Sequence, residues 1–241
     1  MEEITLSIFV PCFNEEKNII KALNCIKQCV HNISYEVLVV DDASKDKTVE
    51  MVEEYKKNNP NVNIKVFQNK SNKGVGFNYY ATAYKASGKY YMLISGDGIE
   101  PPDEIKKIVN NIGKADIILA CHIDKRGIFR KTISKIFVII INLITLNNVK
   151  YYNGPNIYLL ENVKLYRGSE SRLGFQAELI AAQLRQKKTY IEIEYLPDPD
   201  LTSSLHSQAL SWRVVLGVIG TIISIFLNQI TYVLKKILKI N

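Results

Sequence analysis

The chain has 241 residues, enough for one large domain or a domain with an appendage, and 47% hydrophobic with 23% charged residues is the make-up of a globular protein with its own core. Four cysteines (Cys12, Cys25, Cys29, Cys121) follow no zinc-ligand spacing, which excludes a Cys-rich metal fold and suits small buried hydrophobes in a reducing compartment. A formal net charge of +7 points to anionic partners: nucleotide phosphates, nucleic acid or acidic lipid.

Met1-Glu2-Glu3 is acidic and the apolar run behind it is short, so no secretory leader is read here and the cytoplasmic side is expected. Thr5 to Val10 reads as a buried strand ending at Pro11. Asn14 then stands as the N-cap of a helix whose apolar positions run from Ile19 to Val30. Tyr35 to Val40 is a second strand, followed by the turn Asp41-Asp42-Ala43-Ser44 and a helix from about Lys47 to Lys57. Val62 to Phe67 gives a third strand, Asn72 to Gly76 a loop, and Asn78 to Ala86 a third helix. Strand and helix alternate throughout, the pattern of a parallel sheet.

Tyr90 to Ile94 is a fourth strand running into Ser95-Gly96-Asp97-Gly98, with Pro101-Pro102 as its stop. Asp97 thus sits at a strand's carboxyl end between two glycines, where ligands bind in open α/β sheets and where a carboxylate can hold a divalent cation against substrate phosphates. The same residues also make an ordinary tight turn. Asp103 to Ile112 reads as a short helix and Ala115 to Ala120 as a strand. Ile133 to Leu146 is an apolar helix too short to span a bilayer; short strands are expected over Val149 to Leu160, a helix over Leu173 to Gln186 and a strand over Tyr190 to Tyr195. Pro197 to Asp200 closes the globular part.

From about Ser207 a last helix is almost wholly apolar, with Arg213 before it and Lys235, Lys236 and Lys239 behind. It is long enough to span the membrane or to lie in its interface, and packing on its own domain is the remaining alternative. The expected division is residues 1–205 as the globular domain and 206–241 as a membrane-associated or transmembrane helix.

Four motifs stand in order: Val10 to Glu16 (V-P-C-F-N-E-E), Val39 to Thr48 (V-V-D-D-A-S-K-D-K-T), Asn72 to Asn78 (N-K-G-V-G-F-N) and Ser95 to Pro102 (S-G-D-G-I-E-P-P). Together they resemble the family 2 glycosyltransferases, and within them the dolichol- and polyprenyl-phosphate sugar synthases, over roughly residues 4 to 205. The resemblance implies an α/β chain of GT-A type, with a Rossmann-like nucleotide-binding sheet flanked by helices and a C-terminal hydrophobic helix. It implies that Pro11, Phe13, Asn14, Glu15, Asp42, Gly74 and Asp97 bind the nucleotide, and that Asp97 holds a divalent metal, Mg2+ or Mn2+. Ser95 stands where the family's first metal-motif Asp is usual, and Glu100 is a candidate helper. A capping turn accounts for Asp41-Asp42-Ala43-Ser44 equally well.

Arg130 to Ser134 resembles the branch's R-x-x-x-S, which makes Arg130 and Ser134, with Ser203, the acceptor-phosphate candidates; the planar, permanently charged guanidinium suits phosphate. His122 takes the place of a further Arg, and His206 is the basic residue near Ser203. Glu178 matches the base of hydroxyl-accepting relatives, so Asp97, Glu178 and Arg130 are the catalytic candidates. A phosphate acceptor needs no base, and Glu178 is then a structural or orienting residue.

The expected partners are a nucleotide-sugar donor, a polyprenyl-phosphate or glycan acceptor and membrane lipids, with no nucleic acid, at the cytoplasmic face of the membrane. A non-catalytic nucleotide-sugar-binding membrane protein is the rival. A dinucleotide oxidoreductase is set aside, because Gly74-Val75-Gly76 lacks a third glycine and follows the third strand.

Overall fold

The computed structural model describes residues 3–30, 32–123, 128–166, 174–196 and 212–238, the side chains of 128–130 and 212–214 excepted. The elements in chain order are β1 (Leu6–Cys12), α1 (Ile19–Cys29), β2 (Tyr35–Asp41), α2 (Thr48–Asn58), β3 (Ile64–Gln68), α3 (Val75–Ala83), β4 (Tyr90–Leu93) and α4 (Pro102–Val109). There follow β5 (Ile117–His122), α5 (Ile128–Thr145), β6 (Ile157–Leu159), α6 (Leu160–Leu165), α7 (Phe175–Arg185), β7 (Tyr190–Tyr195) and α8 (Trp212–Leu238).

Seven strands form one sheet in the order β3-β2-β1-β4-β6-β5-β7. β1 pairs in parallel with β2 and β4, β2 with β3, and β5 with β7, while β6 runs antiparallel to both β4 and β5. The parallel sheet expected from the leading strands and helices is present over β1 to β4, and the later β6 runs antiparallel within it. The carboxyl ends of β1, β2, β4 and β5 consequently open on the same edge. The strand order reverses between β1 and β4, which places a crevice between the loops after those two strands.

Strands buried on both faces read as unbroken apolar runs, and β1 and β2 do so. Leu6, Ile8 and Val10 of β1 and Val37 and Val39 of β2 face a core shared with α1, α2 and α4. Phe9, Leu38 and Val40 face the opposite core, with Tyr79 of α3, Tyr158 of β6 and Ile180 of α7. Each such side chain stabilises the fold by about 1.5–3 kcal/mol relative to exposure. The two faces together clamp the sheet, so the loops at its edge sit on a rigid base.

Pro11 is not a stop, because β1 continues to Cys12. The Pro11 carbonyl accepts from Gly96 N–H at 3.1 Å, past the last β1–β4 pair, so the amide that proline lacks is not missed by the ladder. The stretch expected to give short strands over 149–160 gives only β6, and α6 begins immediately behind it. The apolar helix expected over 133–146 starts earlier, at Ile128. Pro197 to Asp200 and residues 207–211 lie outside the described residues.

Candidate active site

Three loops meet at the carboxyl edge of the sheet. Asn14, after β1, takes a φ of 57°, a left-handed conformation that Asn adopts more readily than most residues. Its N–H donates to Ser44 Oγ at 2.8 Å, and its Oδ1 accepts from Lys45 N–H at 2.8 Å. Glu15 N–H donates to Thr48 Oγ1 at 2.8 Å and Glu16 N–H to Asp46 Oδ2 at 3.1 Å. The loops after β1 and β2 are thereby zipped together. Asn14 is thus not the N-cap of α1, which begins only at Ile19; its side chain is committed to the loop after β2.

Phe13 is exposed at the mouth, as a residue that packs on a planar ligand must be. Burial pushes the Glu15 carboxyl up, against the Asn18 amide that donates to it at 2.8 Å, with Asp97 and Asp46 adding in the same upward direction. The turn reading of Asp41-Asp42-Ala43-Ser44 also holds, since Ser44 N–H donates to Asp41 Oδ2 at 3.2 Å.

Asp42 is buried and saturated on one oxygen. Oδ1 accepts from Asn69 Nδ2 at 2.7 Å and Lys73 N–H at 2.8 Å, and Oδ2 accepts from Gly74 N–H at 2.8 Å. Burial alone would raise this carboxyl, but the Lys73 amide, the Asn69 and Asn78 side chains and the Gly74 amide outweigh it and hold the group below the usual range. Gly74 reaches this position with a φ of 85°, open to few other residues. Asp42 therefore fixes the loop that leads into α3 and keeps one lone-pair direction on Oδ2 for a ligand. Sequence reading missed Asn69, Ser44, Asp46 and Thr48 as parts of this frame. The only local signal for them was small polar residues flanking strand ends.

After β4, a Cβ on Gly96 would lie 2.7 Å from the Pro11 carbonyl oxygen, so only glycine lets β1 and β4 end so close together. Asp97 is half-buried just beyond. Burial pushes its carboxyl up, opposed by a hydrogen bond from Ser95 and by the Ile99 amide, 3.4 Å from Oδ1. Ser95, in the first acidic position of the motif, thus supports Asp97 where a carboxylate would repel it. Glu100 is 7% exposed, and its Oε2 has no hydrogen-bond partner. Burial, then Asp97 and Cys25, push the Glu100 carboxyl well above its ordinary range.

Two carboxyls raised by burial, one of them pushed further by the other and left with an orphaned oxygen, are the setting that a divalent cation relieves. Among the described residues no group of three or more His, Cys or acidic side chains forms a metal cluster. A cation here would therefore rest on Asp97 and Glu100 and draw its other oxygens from phosphate and water.

The acceptor-side candidates are less closely gathered. His122 ends β5 on the same sheet edge, with the rings of Tyr151 and Tyr195 each 5.8 Å from its own. Ser134 is half-buried on α5. The Arg130 side chain, Ser203 and His206 lie outside the described residues. Glu178, in the first turn of α7, is 1% exposed, with the Tyr166 hydroxyl 3.5 Å from its Oε2.

Residues 7–164 match the family described as glycosyl transferase family 2. The chain belongs to that family. A dolichyl-phosphate beta-glucosyltransferase of Dictyostelium discoideum is 30% identical over 131 residues, which are 50% of this chain and 40% of that protein. A dolichol-phosphate mannosyltransferase of Pyrococcus furiosus is 29% identical over 137 residues, 54% of this chain and 38% of that one. The chain thus spans well under half the length of these two relatives. The crystal structure of Mycobacterium tuberculosis glucosyl-3-phosphoglycerate synthase with Mn2+, UDP and glucosyl-3-phosphoglycerate superposes with a TM-score of 0.66 at 14% identity, over 94% of this chain and 80% of that one. The likeness carries the GT-A fold to this family 2 glycosyltransferase.

Proposed function

We propose that this glycosyltransferase moves a sugar from a nucleotide-sugar donor to a polyprenyl phosphate, with inversion at the sugar carbon, at the cytoplasmic face of a membrane. The observation that carries the reading is the junction of the β1, β2 and β4 loops around Asp42, Asp97 and the orphaned Glu100 oxygen. A nucleotide lies in the crevice with its base against Phe13 and toward the free lone pair of Asp42. Its diphosphate then faces Asp97. A divalent metal, when bound, supplies positive charge to the departing nucleoside diphosphate.

The protein's own residues do the positioning. Asn14 and Ser44 lock the base-side loops, Gly96 brings β1 against β4, and Ser95 steadies Asp97. A phosphate acceptor is already anionic near neutral pH, so it attacks without a general base and needs cations to hold it. Arg130 is assigned that task, with Ser134 and Ser203 as hydrogen-bond donors. The nearly complete burial of Glu178 supports an orienting role for it in this chemistry.

Transfer to a glycan hydroxyl is the second reading, because a carboxylate held in place by burial and by Tyr166 is also where a general base for a hydroxyl acceptor can stand. A thermal-shift panel of nucleoside diphosphates with and without manganese tests the donor half. A shift for at least one of them that grows with manganese is expected, since a ligand binding only the folded state raises its stability. No shift with any of them would overturn the nucleotide-sugar reading, whereas a shift without any transfer or hydrolysis of nucleotide sugar in manganese would favour the non-catalytic rival.

A further inference from the structure

We infer that α5 and α8 form a single membrane-docking face in which α8 lies in the plane of an anionic lipid surface and does not cross it. Val215–Leu238 is the one helix among the described residues long and apolar enough to span a bilayer. Its packing argues against spanning. Thr221 is 0% exposed, and a Cβ on Gly174 at the start of α7 would lie 2.3 Å from Thr221 Cγ2. α8 therefore packs on α7 through Thr221, with Ile225 buried and Ile222 packed on the same core.

Beyond the buried Thr221 and Ile225, residues 212–220 and 226–238 amount to roughly 14 Å and roughly 20 Å of helix at 1.5 Å per residue, each short of the roughly 30 Å of hydrocarbon. A helix held along its middle to a polar, nucleotide-binding body cannot also thread the bilayer.

The outward face is what such a helix presents to an interface. Leu216, Ile219, Ile223, Phe226, Ile230 and Leu234 are exposed and recur every three or four residues, one stripe along the helix. Ile136, Ile139 and Leu143 of α5 add a second exposed stripe, and the two helices pack on each other. Neither helix contains an acidic residue. Lys131 and Lys135 are exposed near the start of α5, and Lys235 and Lys236 are exposed in the last turn of α8. An apolar stripe on two helices whose only charged residues are cations matches anionic headgroups over acyl chains. It does not match a second copy of the same face, which would set like charges against each other.

The inference goes beyond the proposed reaction and stands without it, because lipid depth is read with no donor or acceptor present. Single nitroxide labels are placed on cysteines introduced at Ile219, Ile223, Ile230 and Ile237 of the full chain; the four native cysteines are buried. The labelled protein is bound to mixed phosphatidylcholine and phosphatidylglycerol vesicles. All four labels are expected at one shallow depth, about 5–10 Å below the phosphates. Depths that grade across the bilayer from position 219 to position 237 would mean a spanning helix and overturn the inference. Labels that stay in water while the chain forms a concentration-dependent dimer would overturn it in favour of a second copy. Replacing Lys131, Lys135, Lys235 and Lys236 with Gln should weaken vesicle binding by roughly 5-fold per lysine. Equal binding to neutral and anionic vesicles would overturn the choice of an anionic surface.

Discussion

Glu36 and Glu100 are both buried carboxyls on loops or strands of the same sheet, and they stand in opposite conditions. Glu36, near the amino end of β2, is 0% exposed. It accepts from Ser7 Oγ at 2.6 Å, Ser87 N–H at 2.7 Å and Lys65 Nζ at 2.7 Å. Burial would raise its carboxyl, but Lys65, Ser7 and Ser87 overcome this and hold it below the usual range. Glu100, at the carboxyl edge, keeps an unpaired Oε2 and a raised carboxyl beside Asp97. A carboxylate satisfied by the protein belongs to the fold; one left unsatisfied beside another is held for something the protein binds.

The largest expected effect is at the acidic edge itself. Asp97→Asn should leave the fold intact and reduce turnover by roughly 10²–10³-fold, the scale of losing one preorganised electrostatic group. Manganese-dependent binding of the nucleoside diphosphate should fall with it in calorimetry; unchanged affinity with unchanged manganese dependence would remove Asp97 from the site.

Glu178 is a further buried carboxyl, and kinetics can decide on which side of the comparison it belongs. With a phosphate acceptor, Arg130→Ala should cost on the order of 1.5–3 kcal/mol, chiefly as weaker acceptor binding, and more than Glu178→Gln costs. That is roughly 10- to 150-fold in kcat/KM. A nearly inactive Glu178→Gln with a near-normal Arg130→Ala would move Glu178 to the catalytic side and favour a hydroxyl acceptor.

Glu36→Gln and Glu100→Gln sharpen the comparison directly. The first should lower stability in urea by about 1–3 kcal/mol, because Ser7 and Ser87 lose a charged acceptor, and should leave manganese dependence alone. Glu100→Gln should weaken manganese dependence without a comparable loss of stability. Equal stability losses would show that the two carboxyls do the same job.

The smallest effect is in pH dependence. Both Glu36 and Asp42 have depressed carboxyls, so their stabilisation is complete above the unfolded values, 4.5 for Glu and 3.8 for Asp, and is lost as pH falls through the folded ones. Acid unfolding of Glu36→Gln should therefore have a shallower limb below about pH 4.5 than the unaltered chain. Coincident limbs would mean that Glu36 is not linked to folding in this way.

Much of this was legible in the chain. Thr5 to Val10 read as a buried strand and Tyr35 to Val40 as a second strand, and both stretches form strands. Tyr190 to Tyr195 is a strand over the stretch read from sequence. Asp42 and Asp97 were placed at strand ends by the apolar runs before them, and the topology sets both on one edge. Asn14 misled because an Asn before two glutamates is a cap pattern, while the loop after β2, distant in sequence, took its side chain instead. The direction of β6 was not legible, because a three-residue strand carries too little pattern to set it.

The sequence by itself determined the alternation of strands and helices, the family and the positions of the acidic turns, since each follows from local periodicity and short motifs. Tertiary structure alone decided which carboxyl is satisfied and which is not. Glu36 and Glu100 look alike in sequence, and only the approach of Ser7, Lys65 and Ser87 from other strands and loops to one, and of Asp97 to the other, separates them. It likewise decided the setting of the C-terminal helix. Hydropathy gave α8 the length to span, and tertiary packing laid Thr221 against Gly174 at the start of α7 and buried Ile225 in the core.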